Sequence, residues 1–215
     1  MASTIKTNNI TGFSGGAGSA PITLSGDTAT LGSSVTVPAS IGGSEILLNT
    51  HTADGTSATF EVDLTQYTTF DTYKFRFVDW IPASDDKNFY MRVGTSSSSV
   101  TTGYRTAGTQ GYWNGSSGGV SWFYSNDYII WAGAVGSQAH EGLCAEGFVY
   151  SARNSSKSTR VTAHINLFDK DNYVRYFANS GMSLSQQDDA YFKFFWESDV
   201  NTTSGKFYFY GVKNA

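Results

Sequence analysis

Val161-Thr-Ala-His-Ile-Asn-Leu167 places an apolar side chain at every second position and a polar one between them. Successive side chains of a strand point to opposite faces of its sheet, so this alternation predicts a strand with one face in a core. The same period of two recurs at 59–64, 73–77, 89–93, 192–196 and 206–210. With about eight to ten such strands, the sequence predicts an all-β jelly-roll β-sandwich.

Turn-forming residues separate these segments. Asp54-Gly55, Ser204-Gly205 and the run Asn154-Ser-Ser156 lie between alternating stretches, and glycine, asparagine and serine are typical of turns. Phe168-Asp-Lys-Asp-Asn172 predicts a tight hairpin between two strands. Only the segments 64–70 and 182–190 could hold a helical turn or two.

Composition divides the chain near residue 45. Before Glu45 the charged side chains are Lys6 and Asp27 alone, and Phe13 is the only aromatic residue before Phe60. A segment with so little apolar surface cannot offset its chain entropy by itself. We therefore expect an N-terminal assembly or docking segment over 1–44 and the jelly-roll domain over 45–215.

The N-terminal segment contains a short seven-residue echo, with Thr-Leu at 23–24 and again at 30–31. Its alternating aliphatic residues predict short strands that three copies around an axis would bury, giving a homotrimer. A flexible Gly/Ser arm is the alternative. The residues expected at the oligomer or docking interface are Ile5, Ile10, Ile22, Leu24, Leu31, Val35 and Val37.

Charge and cysteine content exclude several classes. The net charge is −4, and the 14 Lys and Arg residues are scattered singly, so nucleic-acid binding is not expected. We expect no membrane insertion, because no apolar run is long enough to span a bilayer. The single Cys144 cannot form an internal disulfide, and we expect no cofactor and no metal.

Two segments resemble catalytic motifs superficially. Gly115-Ser-Ser-Gly-Gly119 matches the G-x-S-x-G elbow, but a helix must follow the elbow serine, and Val120-Ser-Trp-Phe-Tyr124 predicts a strand. His140, Glu141, Cys144 and Glu146 cluster in the sequence without the second histidine or cysteine pair of a zinc site. A buried structural cysteine is the simpler interpretation.

Carboxylates also occur in same-face pairs, Glu61/Asp63 and Glu197/Asp199. Glycosidases use two carboxylates, which keeps a polysaccharide depolymerase as the least favoured hypothesis. A solvated strand face is the simpler interpretation of the first pair. The acidic turns at 85–86 and 169–172 lack the oxygen count of a known calcium loop. No catalytic centre is therefore expected.

The stretch 104–131 is rich in aromatic residues among glycines and hydroxyl side chains. Exposed aromatics stack on sugars or anchor protein interfaces, whereas the alternative is that most of them fill the sandwich. The residues predicted to contact a ligand or host surface are Tyr104, Tyr112, Trp113 and Trp122.

Three stretches carry a resemblance. Residues 68–86, with Tyr73-Lys-Phe-Arg-Phe77 and the corner Ile81-Pro-Ala83, are followed by Phe89-Tyr-Met-Arg-Val93. Together with Ser204–Lys213 and the opening Ser3–Gly12, they resemble jelly-roll modules of marine, cyanophage-like bacteriophage virion structural proteins. The stretch 112–146 has no counterpart in those modules.

The resemblance implies a non-enzymatic virion protein, made in the host cytoplasm: a head fibre, capsid decoration or tail fibre for host attachment. Its partners would be further copies of itself, other capsid or tail proteins, and a host surface glycan. A stand-alone carbohydrate-binding module or lectin-like adhesin, using Tyr112 and Trp113, is the main alternative.

Overall fold

The computed structural model describes residues 45–95, 103–125 and 127–213, without the side chains of 121–124, and the backbone of 22–25 and 28–31. Its strands are β1 (Ile22–Ser25), β2 (Thr28–Leu31), β3 (Glu45–Thr52), β4 (Thr59–Asp63), β5 (Thr72–Pro82), β6 (Lys87–Gly94), β7 (Tyr104–Trp113), β8 (Gly118–Ser125), β9 (Ile129–Val135), β10 (Gly142–Tyr150), β11 (Ser158–Phe168), β12 (Val174–Gln186), β13 (Tyr191–Trp196) and β14 (Thr202–Val212). Among the described residues, the one helical element is a 3-10 turn at Glu197–Asp199.

Two antiparallel sheets form the sandwich. One has eight strands in the order β3-β14-β5-β10-β11-β12-β7-β8, and the other has four in the order β4-β13-β6-β9. Eight of the strands can be numbered from first to eighth along the chain: β3, β4, β5, β6, β9, β10, β13 and β14. The first, eighth, third and sixth of these (β3, β14, β5 and β10) lie side by side in the large sheet. The second, seventh, fourth and fifth form the small sheet, which is the jelly-roll arrangement. The predicted all-β jelly-roll class is confirmed.

Four further strands extend the large sheet. The β7–β8 hairpin is inserted between jelly-roll strands β6 and β9, and the β11–β12 hairpin between β10 and β13. They bring the sandwich to twelve strands, more than the eight to ten expected. The number of strands was underestimated mainly because of β7. Its Arg105-Thr-Ala-Gly-Thr-Gln110 segment lacks a clean apolar alternation. Neither segment that could hold a helical turn is helical, since 182–186 belongs to β12 and 64–70 forms turns.

Aromatic side chains fill the space between the sheets. Phe77 of β5 lies near the centre, with its ring centroid 4.7 Å from that of Phe207 and 5.2 Å from those of Phe89 and Phe194. The pairs with Phe89 and Phe194 are edge-to-face, and pairs of this kind contribute about 0.5–1.5 kcal/mol each beyond the area they bury. The apolar positions of 161–167 and of 73–77 are buried as their period of two predicts.

Hydrogen bonds connect β9 and the residue before it to the inner face of the added strands. On the inner face of β12, Asn179 Nδ2 donates to the carbonyl oxygens of Ile130 (2.9 Å) and Trp131 (2.5 Å). On β7, Thr106 Oγ1 donates to the carbonyl oxygen of Tyr128 at 2.9 Å. These bonds join the small sheet to the inner face of the extension at Thr106 and Asn179.

The N-terminal strands form a unit of their own. β1 pairs with β2 in an antiparallel ribbon that sets Ile22 opposite Leu31 and Leu24 opposite Ala29. Backbone contacts divide the chain into residues 1–41 and 42–215. Ile5, Ile10, Val35 and Val37, and the side chains of Ile22, Leu24 and Leu31, lie outside the described residues.

Candidate functional site

A cluster of exposed apolar side chains lies on the outer face of the extended sheet. The cluster, called the hairpin patch, consists of Trp113, Val120, Phe168, Val174 and Tyr176. Trp113 is 54% exposed and Val120 is 74% exposed, and the other three are exposed to a similar extent as Trp113. Large apolar side chains are usually covered, so these five form an open apolar patch.

Strand register brings the hairpin patch together. Phe168 pairs with Val174, and Val174 pairs with Trp113, which forms one row across β11, β12 and β7. In the next row, Tyr176 and Val120 lie on either side of Gly111. Positions two residues apart on one strand share a face, so both rows belong to the same side of the sheet.

Glycines in β8 make room for the aromatic rings of β7. A Cβ atom on Gly118 would lie 3.3 Å from Cε3 of Trp113, and one on Gly119 would lie 2.7 Å from Cε1 of Tyr112. Each ring therefore lies against the backbone of the neighbouring strand. Trp113 is supported from one side and open to solvent on the other, an arrangement that suits stacking against a partner.

Tyr112 and Trp113 do not form one surface. They are adjacent on β7, so their side chains point to opposite faces of the sheet. Tyr112 is 38% exposed and has its ring centroid 6.3 Å from that of Tyr173, on the face opposite the hairpin patch. Of this predicted pair, only Trp113 belongs to the hairpin patch.

Tyr104 was wrongly predicted as a surface contact. Its side chain is completely buried, and its hydroxyl donates to the carbonyl oxygen of Val93 at 3.0 Å and accepts from the Val93 amide at 3.1 Å. Burial raises the pKa of Tyr104 to about 12. The ring therefore joins β7 to β6 from inside the sandwich. The side chain of Trp122, the fourth predicted contact, lies outside the described residues.

A shallow cavity of about 250 Å³ adjoins the hairpin patch at Tyr176. The Tyr176 hydroxyl lies 2.6 Å from Nδ1 of His164, and Arg76 and Glu146 line the same cavity. Beside it, Lys74 pairs with Glu45 and Glu146, both at 3.2 Å. Burial lowers the pKa of Lys74, but its bonds to these carboxylates outweigh burial and raise the pKa overall. The face thus combines an apolar area with a charged, hydrogen-bonded border.

The nucleophile-elbow match is a hairpin turn. Asn114 Oδ1 accepts hydrogen bonds from the amides of Ser116 (3.0 Å) and Ser117 (2.7 Å), which closes the turn between β7 and β8. A strand follows the serines, as the sequence predicted, rather than the helix of a hydrolase elbow.

The side chains of the 140–146 cluster have separate partners and do not form one site. His140 Nε2 lies 2.8 Å from Asn172 Oδ1, and buried Glu141 accepts from the amide of Gln138 at 2.7 Å. Burial raises the pKa of the Cys144 thiol, the opposite of what an attacking thiolate requires. Within the described chain no three His, Cys, Asp or Glu side chains converge as metal ligands.

The carboxylate pairs lie on the outer face of the small sheet or at its border. Asp63 accepts from the amide of Thr65 at 2.8 Å, and this bond holds the pKa of Asp63 below its ordinary value. Glu197 accepts from Asn88 Nδ2 at 3.0 Å. In the acidic turn at 169–172, buried Asp169 accepts from the amides of Asp171 and Tyr173, both at 2.8 Å, so it holds the predicted hairpin together.

Sequence reasoning missed four members of the hairpin patch: Val120, Phe168, Val174 and Tyr176. A signal was present, since alternation assigns Phe168 to the solvent side of its strand and yet the residue is apolar. Large apolar residues at positions that the period of two places outside the core are the pattern that would have indicated this surface.

The fold and the surface together define the class: a jelly-roll β-sandwich whose added strands carry an open apolar contact face. Comparison with protein-family models, curated proteins and solved structures finds no match to the chain. No helix in the described part of the chain has the length and hydropathy that a membrane span requires.

Proposed function

We propose that the chain is a non-enzymatic structural protein of a bacteriophage virion, a head fibre, capsid decoration or tail fibre. Its N-terminal segment docks onto the particle, and its jelly-roll projects to contact neighbouring subunits or a host surface glycan. The observation that carries the proposal is the hairpin patch, because an open apolar face on a rigid sheet is suited to association.

The location of the hairpin patch supports an association role. All five of its residues lie on the added strands β7, β8, β11 and β12, and none on the jelly-roll strands. The added strands contribute to the core through residues such as Tyr104, Ile165 and Phe177, and they also enlarge one sheet and present side chains on its outer side. The enlarged outer surface offers contact area beyond that of the jelly-roll strands.

The N-terminal segment supports assembly as a homotrimer. The β1–β2 ribbon pairs two aliphatic positions, Ile22 and Leu31, in a segment nearly devoid of aromatic and charged residues. Two strands alone are only marginally stable in water. Three ribbons around an axis would give these positions the partners that a single copy lacks.

Mass spectrometry of purified particles of the phage that encodes the chain tests the virion assignment. We expect the protein in the particles at a fixed ratio to the major capsid or tail protein. Its absence from infectious, purified particles would remove the assignment.

A lectin-like adhesin is the second candidate, and it is favoured by the half-exposed ring of Trp113. On a glycan array, Trp113→Ala is expected to reduce binding by about tenfold or more if this ring stacks on a sugar. Tyr112→Ala is the matched control, because it removes a neighbouring aromatic ring on the opposite face. Equal losses in both variants, or no binding by the wild-type chain, would argue against the lectin.

A further inference from the structure

A second aromatic cluster lies outside the sandwich core, on the outer face of the small sheet. Tyr90 and Phe195 point away from the core but are still more than 90% buried. Tyr128 stacks on Tyr90 with a centroid distance of 4.4 Å and lies 5.9 Å from Phe195. These rings form the floor of a hollow of about 290 Å³, called the outer pocket, close to the lower size limit of small-molecule sites.

Arg92 enters the outer pocket between two of these rings. Its guanidinium carbon lies 4.8 Å from the ring centroid of Tyr128 and 5.0 Å from that of Phe195. Its Nε is buried without a hydrogen-bond partner among the described residues. Stacking orients the planar guanidinium while leaving its terminal nitrogens available for a planar acceptor.

Lys193 brings a second positive charge to the same place. It is the direct cross-strand partner of Arg92 between β13 and β6, and both residues line the outer pocket. Like charges that face each other across two strands repel. On its other side Lys193 faces Glu61 of β4, but no carboxylate of the described chain lies within ion-pair distance of Lys193 or Arg92. The pair therefore forms a preorganised site for one negative group.

The far rim of the outer pocket carries hydrogen-bond acceptors. Asn88 Nδ2 donates a hydrogen bond to Glu197 Oε2 at 3.0 Å, and Ser198 and Asp199 form the rest of the rim. Ser198 (φ 62°) and Asp199 (φ 49°) both adopt left-handed backbone conformations, which turn the chain sharply at this edge. Carboxylates at this position would accept hydrogen bonds from hydroxyl groups.

We propose that the outer pocket binds a sugar unit that bears a carboxylate. The carboxylate lies against Arg92 and Lys193, the sugar ring lies over the aromatic floor of the pocket, and the hydroxyls donate to Glu197 and Asp199. An acidic peptide or a nucleic acid would bring further negative charges against Glu197 and Asp199. The proposal is independent of the hairpin patch, which lies on the other sheet.

Calorimetric titration of the full chain with trigalacturonate tests the proposal. We expect saturable binding that weakens by about tenfold or more with the methyl-esterified trisaccharide, because the ester removes the charge that Arg92 recognises. Equal binding of acid and ester, or no binding of the acid, would overturn the proposal. Tighter binding of a sulfated galactose trisaccharide would overturn the choice of carboxylate.

Variants locate the binding. Arg92→Gln and Lys193→Gln are each expected to weaken trigalacturonate binding by about tenfold. Arg160→Gln, which makes the same charge change on the outer face of the large sheet, should leave it unaltered. Thermal unfolding of each variant checks that the fold is intact, and Lys193→Gln carries the test if Arg92→Gln unfolds. An equal loss in Arg160→Gln would overturn the assignment to this pocket.

Discussion

Gly147 lies in the middle of β10, where the ring of Phe75 and the carbonyl oxygen of Thr162 occupy the space that a Cβ atom would need. We expect Gly147→Ala to lower the free energy of unfolding by about 1–3 kcal/mol through overpacking. Gly111→Ala is the control, since its Cβ would lie 3.9 Å from the nearest described atom, the carbonyl oxygen of Gly119. Urea unfolding measures both, and equal effects would contradict the packing around Gly147.

Asp189 gives the stability a pH dependence. Its carboxyl is fully buried, and burial raises its pKa although Thr159 and Gln187 donate hydrogen bonds to it at 2.5 and 2.7 Å. A carboxyl with a raised pKa in the folded state favours folding at low pH, and this contribution is lost as pH rises through the folded pKa.

The unfolding free energy of wild type minus that of Asp189→Asn should therefore fall as the pH rises from about 4, the ordinary pKa of an aspartate, upward. Urea unfolding across this range measures the difference. Asp127→Asn, the same change at an exposed carboxyl, controls for surface charge. A difference between wild type and Asp189→Asn that stays constant with pH would show that the Asp189 carboxyl does not titrate differently on folding.

At the level of single residues, alternation predicted the core but not the exposure of aromatics. Phe77 and Phe194 are buried because their strands have one polar face, which a period of two reveals. Tyr104 was misassigned because the aromatic-rich stretch was treated as a surface when its first residue packs inward. Phe195 follows Phe194 directly and is buried on the outer face of the small sheet. Its burial depends on contacts with Arg92 and Tyr128, which lie on other parts of the chain.

At the scale of an element, Asp169 stabilises the turn of the β11–β12 hairpin. It accepts two backbone hydrogen bonds within the turn, and its second oxygen pairs with Arg175 Nε at 2.5 Å. Asp169→Ala leaves Arg175 unpaired and the turn amides without an acceptor, so we expect a loss of about 3 kcal/mol or more in unfolding free energy.

Lys170→Ala, in the same turn, should leave the free energy of unfolding almost unchanged, because the ion pair of Lys170 with Asp171 is exposed. Hydrogen exchange at the ends of β11 and β12 measures the local effect. Unchanged protection in Asp169→Ala would contradict the role of this carboxylate.

At the level of elements, hairpin β11–β12 could be predicted and β7 could not. The former combines a clear alternation in β11 with turn residues at 169–172. The latter, Tyr104–Trp113, mixes glycines with threonines, and its place in the sheet depends on pairing with β12, far along the chain. The hairpin patch is formed by both hairpins. Its position therefore depends on the register between their strands, which the local sequence does not determine.

At the scale of the whole molecule, a jelly-roll interior of aromatic residues supports an enlarged sheet with an open face, and a separate N-terminal unit contains a strand pair. The proposed assembly role joins these features. In the proposed assembly, the N-terminal segment would gather copies, and each copy would present its hairpin patch and outer pocket to the surroundings.

Analytical ultracentrifugation of the full chain and of a 45–215 truncation tests this account most directly. We expect the full chain to sediment with the mass of three copies and the truncation, still β-rich by circular dichroism, with the mass of one. Equal oligomeric states for the two proteins would contradict assembly through the N-terminal segment.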